Sequence, residues 1–337
     1  MENLSPAKTS SAFKKAVQSG FIRKDDSAVI LYDLSFLQQR IAYLKSCFPA
    51  GSLHGLAIKA CPLAGIMQLT KELGCGVEAA SMGEVCLALH AGFDPGMIVY
   101  DSPVKTPEEI VFALEKGVHL NIDNFSELER VSSEVARWRS SESSSSESSS
   151  SEVARWRSSE SSSTIGIRIN PQIGVGTILE SSVAGEYSKF GIPLTTKKEE
   201  LIRAFLDNDF LTGMHLHVGS QGCSLDMLVE GTGRLYDLML EINRLTMERK
   251  GFSQITTFDI GGGLAVSYFR DKKPLPMEDY VEALKKRAPL LFSRNAEPGT
   301  RNAEPGTLNA EPGTRNPEPG TRNAERNTQN AEPGTRN

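Results

Sequence analysis

The chain has 337 residues, 39% of them hydrophobic and 23% charged, with a formal net charge of -5. That length holds one large α/β domain or two smaller ones, and an acidic balance with no basic stripe offers nothing to a phosphate backbone, so no nucleic-acid partner is expected. No window is long and apolar enough to span a bilayer and no apolar run follows a basic start, which makes a cytoplasmic location the expectation, with no membrane partner.

Residues 1–26 form an N-terminal segment, after which short β-rich runs alternate with longer amphipathic stretches, the rhythm of βα units on a parallel sheet. Ala28–Tyr32 reads as a strand and Leu34–Ser46 as a helix. Strands follow at Leu53–Ile58, Gly76–Ala79, Met97–Tyr100 and Val118–Ile122. Helices are expected over Leu63–Leu73, Met82–Ala91, Pro107–Lys116 and from Ser126 onward, starting after cap residues such as Ser81 and Thr106.

At Ser132 the rhythm breaks, because the segment Ser132–Ser145 recurs verbatim at Ser150–Ser163. So little apolar surface cannot offset the entropy of ordering the chain, and most of 132–163 reads as a flexible insertion. Its two tryptophans, Trp138 and Trp156, are copies of one another and read as surface or helix residues.

The β/α rhythm resumes with a strand at Thr164–Ile169, a helix near Lys197–Asn208 and a strand at Leu211–His217. A helix across Leu225–Arg249, a strand at Ile255–Ile260 and a helix at Met277–Leu291 complete it. Counting from the strand before Lys59, seven strands can be placed, one short of a closed eight-stranded barrel. Residues 27–292 are thus one barrel domain interrupted by the duplication. From 293 to 337 the unit Ala-Glu-Pro-Gly-Thr-Arg-Asn repeats, with proline and glycine in most copies and no apolar seam, so an extended or disordered tail is expected.

Five cysteines, Cys47, Cys61, Cys75, Cys86 and Cys223, show no paired metal spacing and read as reduced thiols, with Cys75 and Cys86 in packing positions. Lys59 closes the apolar run Leu56-Ala57-Ile58, where a desolvated amine has its pKa lowered toward nucleophilic, imine-forming chemistry. A solvated charge is the commoner meaning of such a lysine. His217 lies between Leu216 and Val218, with His215 on the same side, and its flat ring can stack on an aromatic cofactor or simply be satisfied in the core. Gly261, Gly262 and Gly263 sit where a strand ends, and three glycines let backbone N–H groups approach an anion. Ser220 lies in the preceding βα loop, able to donate to the same phosphate.

Together Val29-Ile30-Leu31-Tyr32-Asp33, Ala57-Ile58-Lys59-Ala60, Ala79-Ala80-Ser81-Met82-Gly83-Glu84, Arg168-Ile169-Asn170-Pro171, Ser188-Lys189-Phe190-Gly191, His215-Leu216-His217-Val218-Gly219-Ser220-Gln221 and the Gly261 loop resemble the fold-type III pyridoxal phosphate-dependent decarboxylases of diaminopimelate, ornithine and arginine. The resemblance covers Ser27–Ser126 and Ile165–Leu291. It implies an alanine-racemase-like TIM barrel, here incomplete, in which Lys59 holds pyridoxal 5'-phosphate covalently and His217 stacks on its ring. Ser220, Gly261, Gly262 and Gly263 would bind the phosphate, with Glu84 and Arg168 near the cofactor face. The implied reaction removes the α-carboxylate of a basic or dibasic amino acid, and the Gly-Ser-Gln and Ser-Lys-Phe-Gly wording points to diaminopimelate. The intact family form is a homodimer.

Departures from the family are equally specific. Glu297-Pro298-Gly299-Thr300 stands where the family opens its eighth strand with Glu-Pro-Gly-Arg, and the same tripeptide recurs through the repeats. The family's C-terminal β-domain is missing, and Cys61 replaces a usual asparagine. The alternatives are therefore a non-catalytic or inactive remnant of such an enzyme and, more weakly, a racemase or cofactor-homeostasis protein on the same barrel.

Overall fold

The computed structural model describes residues 6–142, 164–174, 184–185, 188–219, 223–266 and 275–293. All lie in the larger of two units, Met1–Pro298; the other, Gly299–Asn337, falls outside the described residues, as do the whole second serine-rich copy, Ser220 and Glu297.

The core is a parallel sheet of strands β1 (Gly55–Ala57), β2 (Gly76–Ala79), β3 (Ile98–Tyr100), β4 (His119–Ile122), β5 (Ile165–Asn170), β7 (Leu211–His215) and β8 (Thr257–Asp259), paired in that order. The short β6 (Ile192–Pro193) pairs with β5 off this path. Among the described residues β1 and β8 end the path, giving an incomplete α/β barrel with the expected seven strands in line. Parallel strands are covered on both faces, so their polar residues are buried too: all six residues of β5 are buried, Arg168 and Asn170 among them, and Val77, Ile98, Tyr100, Leu120, Ile122 and Ile167 are fully so.

Helices return the chain to the next strand along the outside. After α2 (Leu34–Cys47) and α3 (Ala64–Glu72), α4 (Met82–His90) begins at Ser81, whose hydroxyl accepts from Glu84 N. Next, α5 (Pro107–Lys116) has a complete capping box of Thr106 and Glu109, proline in its first turn and Gly117 at φ 73° beyond its end. Beyond β6 come α7 (Leu194–Asp207), α8 (Leu225–Lys250) and α9 (Met277–Arg287).

Four expectations change. An additional helix, α1 (Pro6–Gln18), forms in the N-terminal segment and buries none of its residues. Ala28–Tyr32 is not a strand: its β-prone side chains are exposed, Ile30 to 78%, and no strand among the described residues pairs with it. β-propensity describes a fit to a half-buried sheet, and this segment has no sheet to fit. The helix before the duplication, α6, spans Phe125–Glu142 and runs well into the first copy. Leu128, Val131 and Val135 are buried and Trp138 packs on the core, so an apolar stripe already set by Leu128 and Val131 continues into residues expected to be flexible. Lastly, Cys75 is buried but Cys86 is exposed, because the inner face of α4 is carried by Val85 and Ala88. All five cysteines are free.

Candidate active site at the strand ends

Polar and charged side chains gather where β1, β2, β3, β4, β5, β7 and β8 end, the face on which parallel barrels build their sites. Lys59 sits in a single 3-10 turn, Ile58–Ala60, directly after β1. Ile58 is fully buried and anchors the turn, while the Lys59 side chain points out, 59% exposed, with its Nζ 3.5 Å from Glu78 Oε1. The amine is therefore accessible, not in the buried position expected from its apolar neighbours. The register sets the pair, since Ala57 on β1 lies opposite Glu78 on β2. Burial raises the Glu78 pKa, opposed by the charge of Lys59.

His217 lies two residues beyond the end of β7, which stops at His215 rather than continuing through it. Its Nδ1 accepts a hydrogen bond from Gly262 N at 3.3 Å, so that nitrogen carries no proton. Burial, helped by the charges of His215, Arg168 and Lys59, lowers the His217 pKa to about 4. At neutral pH the ring is uncharged.

The glycine loop lies against this segment. Gly261 has φ 63° and Gly263 φ 124°, and a Cβ on either would overlap a backbone carbonyl, Leu216 O or Gly219 O. Only glycine permits both the left-handed backbone and the approach. Two of the three N–H groups are engaged within the protein, Gly261 N by Asp259 Oδ1 at 2.8 Å and Gly262 N by His217 Nδ1, so the expectation of three free donors is not met. An aspartate two residues before the loop closes the turn on itself.

Glu84 Oε2 accepts from Ala80 N at 2.7 Å, so the side chain caps α4 where β2 ends. Arg168, on β5, is buried: Nη1 donates to Asp101 Oδ2 at 2.7 Å, Nε lies 4.0 Å from Asp123 Oδ1, and the guanidinium covers the Phe190 ring at 4.8 Å. Asp123 also accepts from Gly191 N at 3.0 Å, and burial pushes its pKa up to about 6.

The structure thus brings Lys59, His217 and Gly261–Gly263 to one end of the sheet, with Glu84 and Arg168 on the same face. Sequence reasoning assigned no role to Glu78, Asp101, Asp123 or Asp259. Each lies within or directly after an apolar strand, and that position was the available signal. Among the described residues there is no cluster of three or more groups able to hold a metal ion, and no helix long and apolar enough to cross a membrane.

The residues fit pyridoxal phosphate. An accessible lysine amine suits an aldehyde, the uncharged imidazole of His217 offers a flat ring, and the glycine loop brings backbone without side chains to the same end of the sheet.

A model of the pyridoxal-dependent decarboxylases, describing their pyridoxal binding domain, matches residues 34–313. The chain is 29% identical over 229 residues to the diaminopimelate decarboxylase of Methanothermobacter thermautotrophicus, covering 68% of this chain and 46% of that protein. It is 30% identical over 260 residues to a probable chloroplastic diaminopimelate decarboxylase of Oryza sativa subsp. japonica, covering 74% and 46%. Among solved structures, diaminopimelate decarboxylase from Helicobacter pylori complexed with L-lysine superposes with a TM-score of 0.65 at 25% identity, covering 83% of this chain and 64% of that one. Lysine/ornithine decarboxylase from Vibrio vulnificus complexed with putrescine shares the fold, with a TM-score of 0.62 at 20% identity. The chain spans about half the length of these two curated relatives.

Proposed function

Because the chain belongs to the pyridoxal-dependent decarboxylase family through its pyridoxal binding domain, we propose that its site takes pyridoxal phosphate and serves decarboxylation of a basic or dibasic amino acid, diaminopimelate before lysine, ornithine or arginine. The observation that carries this reading is the convergence of an accessible Lys59, an uncharged His217 and the Gly261–Gly263 loop at one end of the parallel sheet.

When bound, the cofactor supplies an electron sink for the bond to the departing α-carboxylate. The protein's part is positioning. Lys59 provides the amine that holds the cofactor's aldehyde carbon, and Glu78, 3.5 Å from that amine, holds its charge whenever it is free and protonated. His217, uncharged, would offer its flat ring to the cofactor, and the Gly261–Gly263 loop with Ser220 would hold the phosphate. Arg168 contributes positive charge at the cofactor face, and Glu84 fixes the chain between β2 and α4. A homodimer in the cytoplasm is the assembly this reading carries with it.

The test uses the full chain with pyridoxal phosphate, beside Lys59→Ala. We expect a visible absorbance band that the variant lacks, followed by carbon dioxide release from meso-diaminopimelate faster than from L-lysine, L-ornithine or L-arginine. Folded protein with no Lys59-dependent band would remove the reading; a band without release from any of the four would leave a cofactor-binding domain and remove the enzyme.

A further inference from the structure

Beneath the mouth lies a charged cluster in which Asp101, following β3, stands between Arg168 on β5 and His215 at the end of β7, all three buried. Asp101 Oδ2 accepts from Arg168 Nη1 at 2.7 Å, and Oδ1 faces His215 Nδ1 at 3.3 Å. The second contact lacks hydrogen-bond alignment, and neither of its atoms has another partner. The sheet register makes the placement, aligning Arg168 with His215 and His215 with Asp259.

We propose that Asp101 is a positioning residue of this site: with His215 it forms a buried ion pair that fixes Arg168 behind the cofactor face and, through Leu216, sets the segment carrying His217. The proposal rests on the reading above only for what the site binds. Among the described residues, the titratable and charged groups that face His215 are Asp101 from the β3 end, Asp259 from β8, Arg168 from β5, Glu78 from β2 and His217 two residues beyond its own strand. Burial opposes a charge on His215, yet Asp101 and Asp259 together raise its pKa. Burial likewise opposes the charge of Asp101, while His215, Arg168 and Lys105 hold the carboxyl well below the usual carboxylate range. Asp101 is thus held as the carboxylate, and its charge with that of Asp259 favours the protonated form of His215. A positive His215 is in turn one reason that His217 stays uncharged.

The experiment is an NMR titration of the five histidines in the 15N-labelled full chain without cofactor, with His215 assigned by its loss in His215→Gln. We expect His215 to carry both ring protons at neutral pH, above the ~6.5 of a free imidazole, and to lose one there in Asp101→Asn. In His215→Gln the titration of His217 should move up. A purely structural Asp101 would change thermal stability and leave these titrations in place. Affinity for pyridoxal phosphate should then fall about tenfold or more in Asp101→Asn. A neutral His215 in the unaltered protein overturns the ion pair, and that measurement stands even where Asp101→Asn does not fold. Unchanged affinity in a folded Asp101→Asn overturns the positioning role. Protein with a charged His215 that binds no pyridoxal phosphate instead removes the cofactor reading and leaves the pair.

Discussion

Two lysines divide the barrel into a region that is closed and one that is open. Lys105, just before α5, has a side chain with no exposed surface; its Nζ donates to Ser102 O and Asn121 O at 2.6 Å and to Glu127 Oε1 at 2.7 Å, with the Tyr100 ring 5.4 Å away. An ammonium has three donors, and all three are spent on fixed acceptors. Lys59, at the mouth, is mostly exposed and has one carboxylate near it, at 3.5 Å. The same side chain is scaffold in one place and available for chemistry in the other. Saturation separates them: the buried amine cannot reach a substrate without stranding Glu127, while the exposed one gives up a single weak contact.

Removing each amine is the strongest way to break that contrast. Lys105→Ala leaves the Glu127 carboxylate buried without its partner, and such a loss costs about 3–5 kcal/mol; urea unfolding followed by circular dichroism should show it. Lys59→Ala should shift the same curve by less than about 1 kcal/mol, as an exposed ion pair does, while abolishing the absorbance of added pyridoxal phosphate. Equal destabilisation by the two would erase the distinction. The glycine loop comes next. Gly261→Ala or Gly263→Ala sets a Cβ against a carbonyl at positive φ, a strain of about 1–3 kcal/mol, and should weaken cofactor binding more than tenfold in equilibrium titrations.

Acid and base separate the two regions further. His217 at the mouth has its pKa lowered from 6.5 to about 4, so the unfolded chain binds a proton before the native one does. Its contribution is present above pH 6.5 and is lost as pH falls toward 4. Asp123, behind Arg168, has its pKa raised from 3.8 to about 6, so its contribution is present below 3.8 and is lost as pH rises through 6. Each amounts to on the order of 3 kcal/mol. Stability measured from pH 4 to 7 should therefore tilt toward acid in His217→Gln and toward base in Asp123→Asn. Parallel profiles in the two variants would mean that the charges are not placed as described.

The mouth could be found from sequence because its residues carry unusual local chemistry. A lysine after an apolar run, paired histidines and three glycines are visible without neighbours. Asp101 and Asp123 were not, since an aspartate after a strand looks like any turn residue, and only the sheet register brings Asp101 to Arg168 and His215. The strands from Gly76 to Ile122 were legible because a parallel sheet buries both faces, leaving short apolar runs between capped helices. Local propensity failed where packing decided the outcome: Ala28–Tyr32 lacks a neighbour to pair with, and α6 gains Val135 and Trp138 from a segment whose composition argued for disorder.

The smallest test asks whether a cap can also belong to the site. Glu109 Oε2 accepts from Thr106 N at 2.8 Å beside Lys105, and Glu84 Oε2 accepts from Ala80 N at 2.7 Å beside the mouth. Each satisfies a backbone donor at a helix start, so Glu109→Ala and Glu84→Ala should cost similar stability, about 0.5–1.5 kcal/mol. Only Glu84 stands at the end of β2, next to the strand that carries Glu78 toward Lys59. Glu84→Ala should therefore also loosen pyridoxal phosphate several-fold, whereas Glu109→Ala leaves binding unchanged. If both lose stability alone, Glu84 is a cap and nothing more, and the cofactor face is bounded by Lys59, Glu78, His217 and the glycine loop.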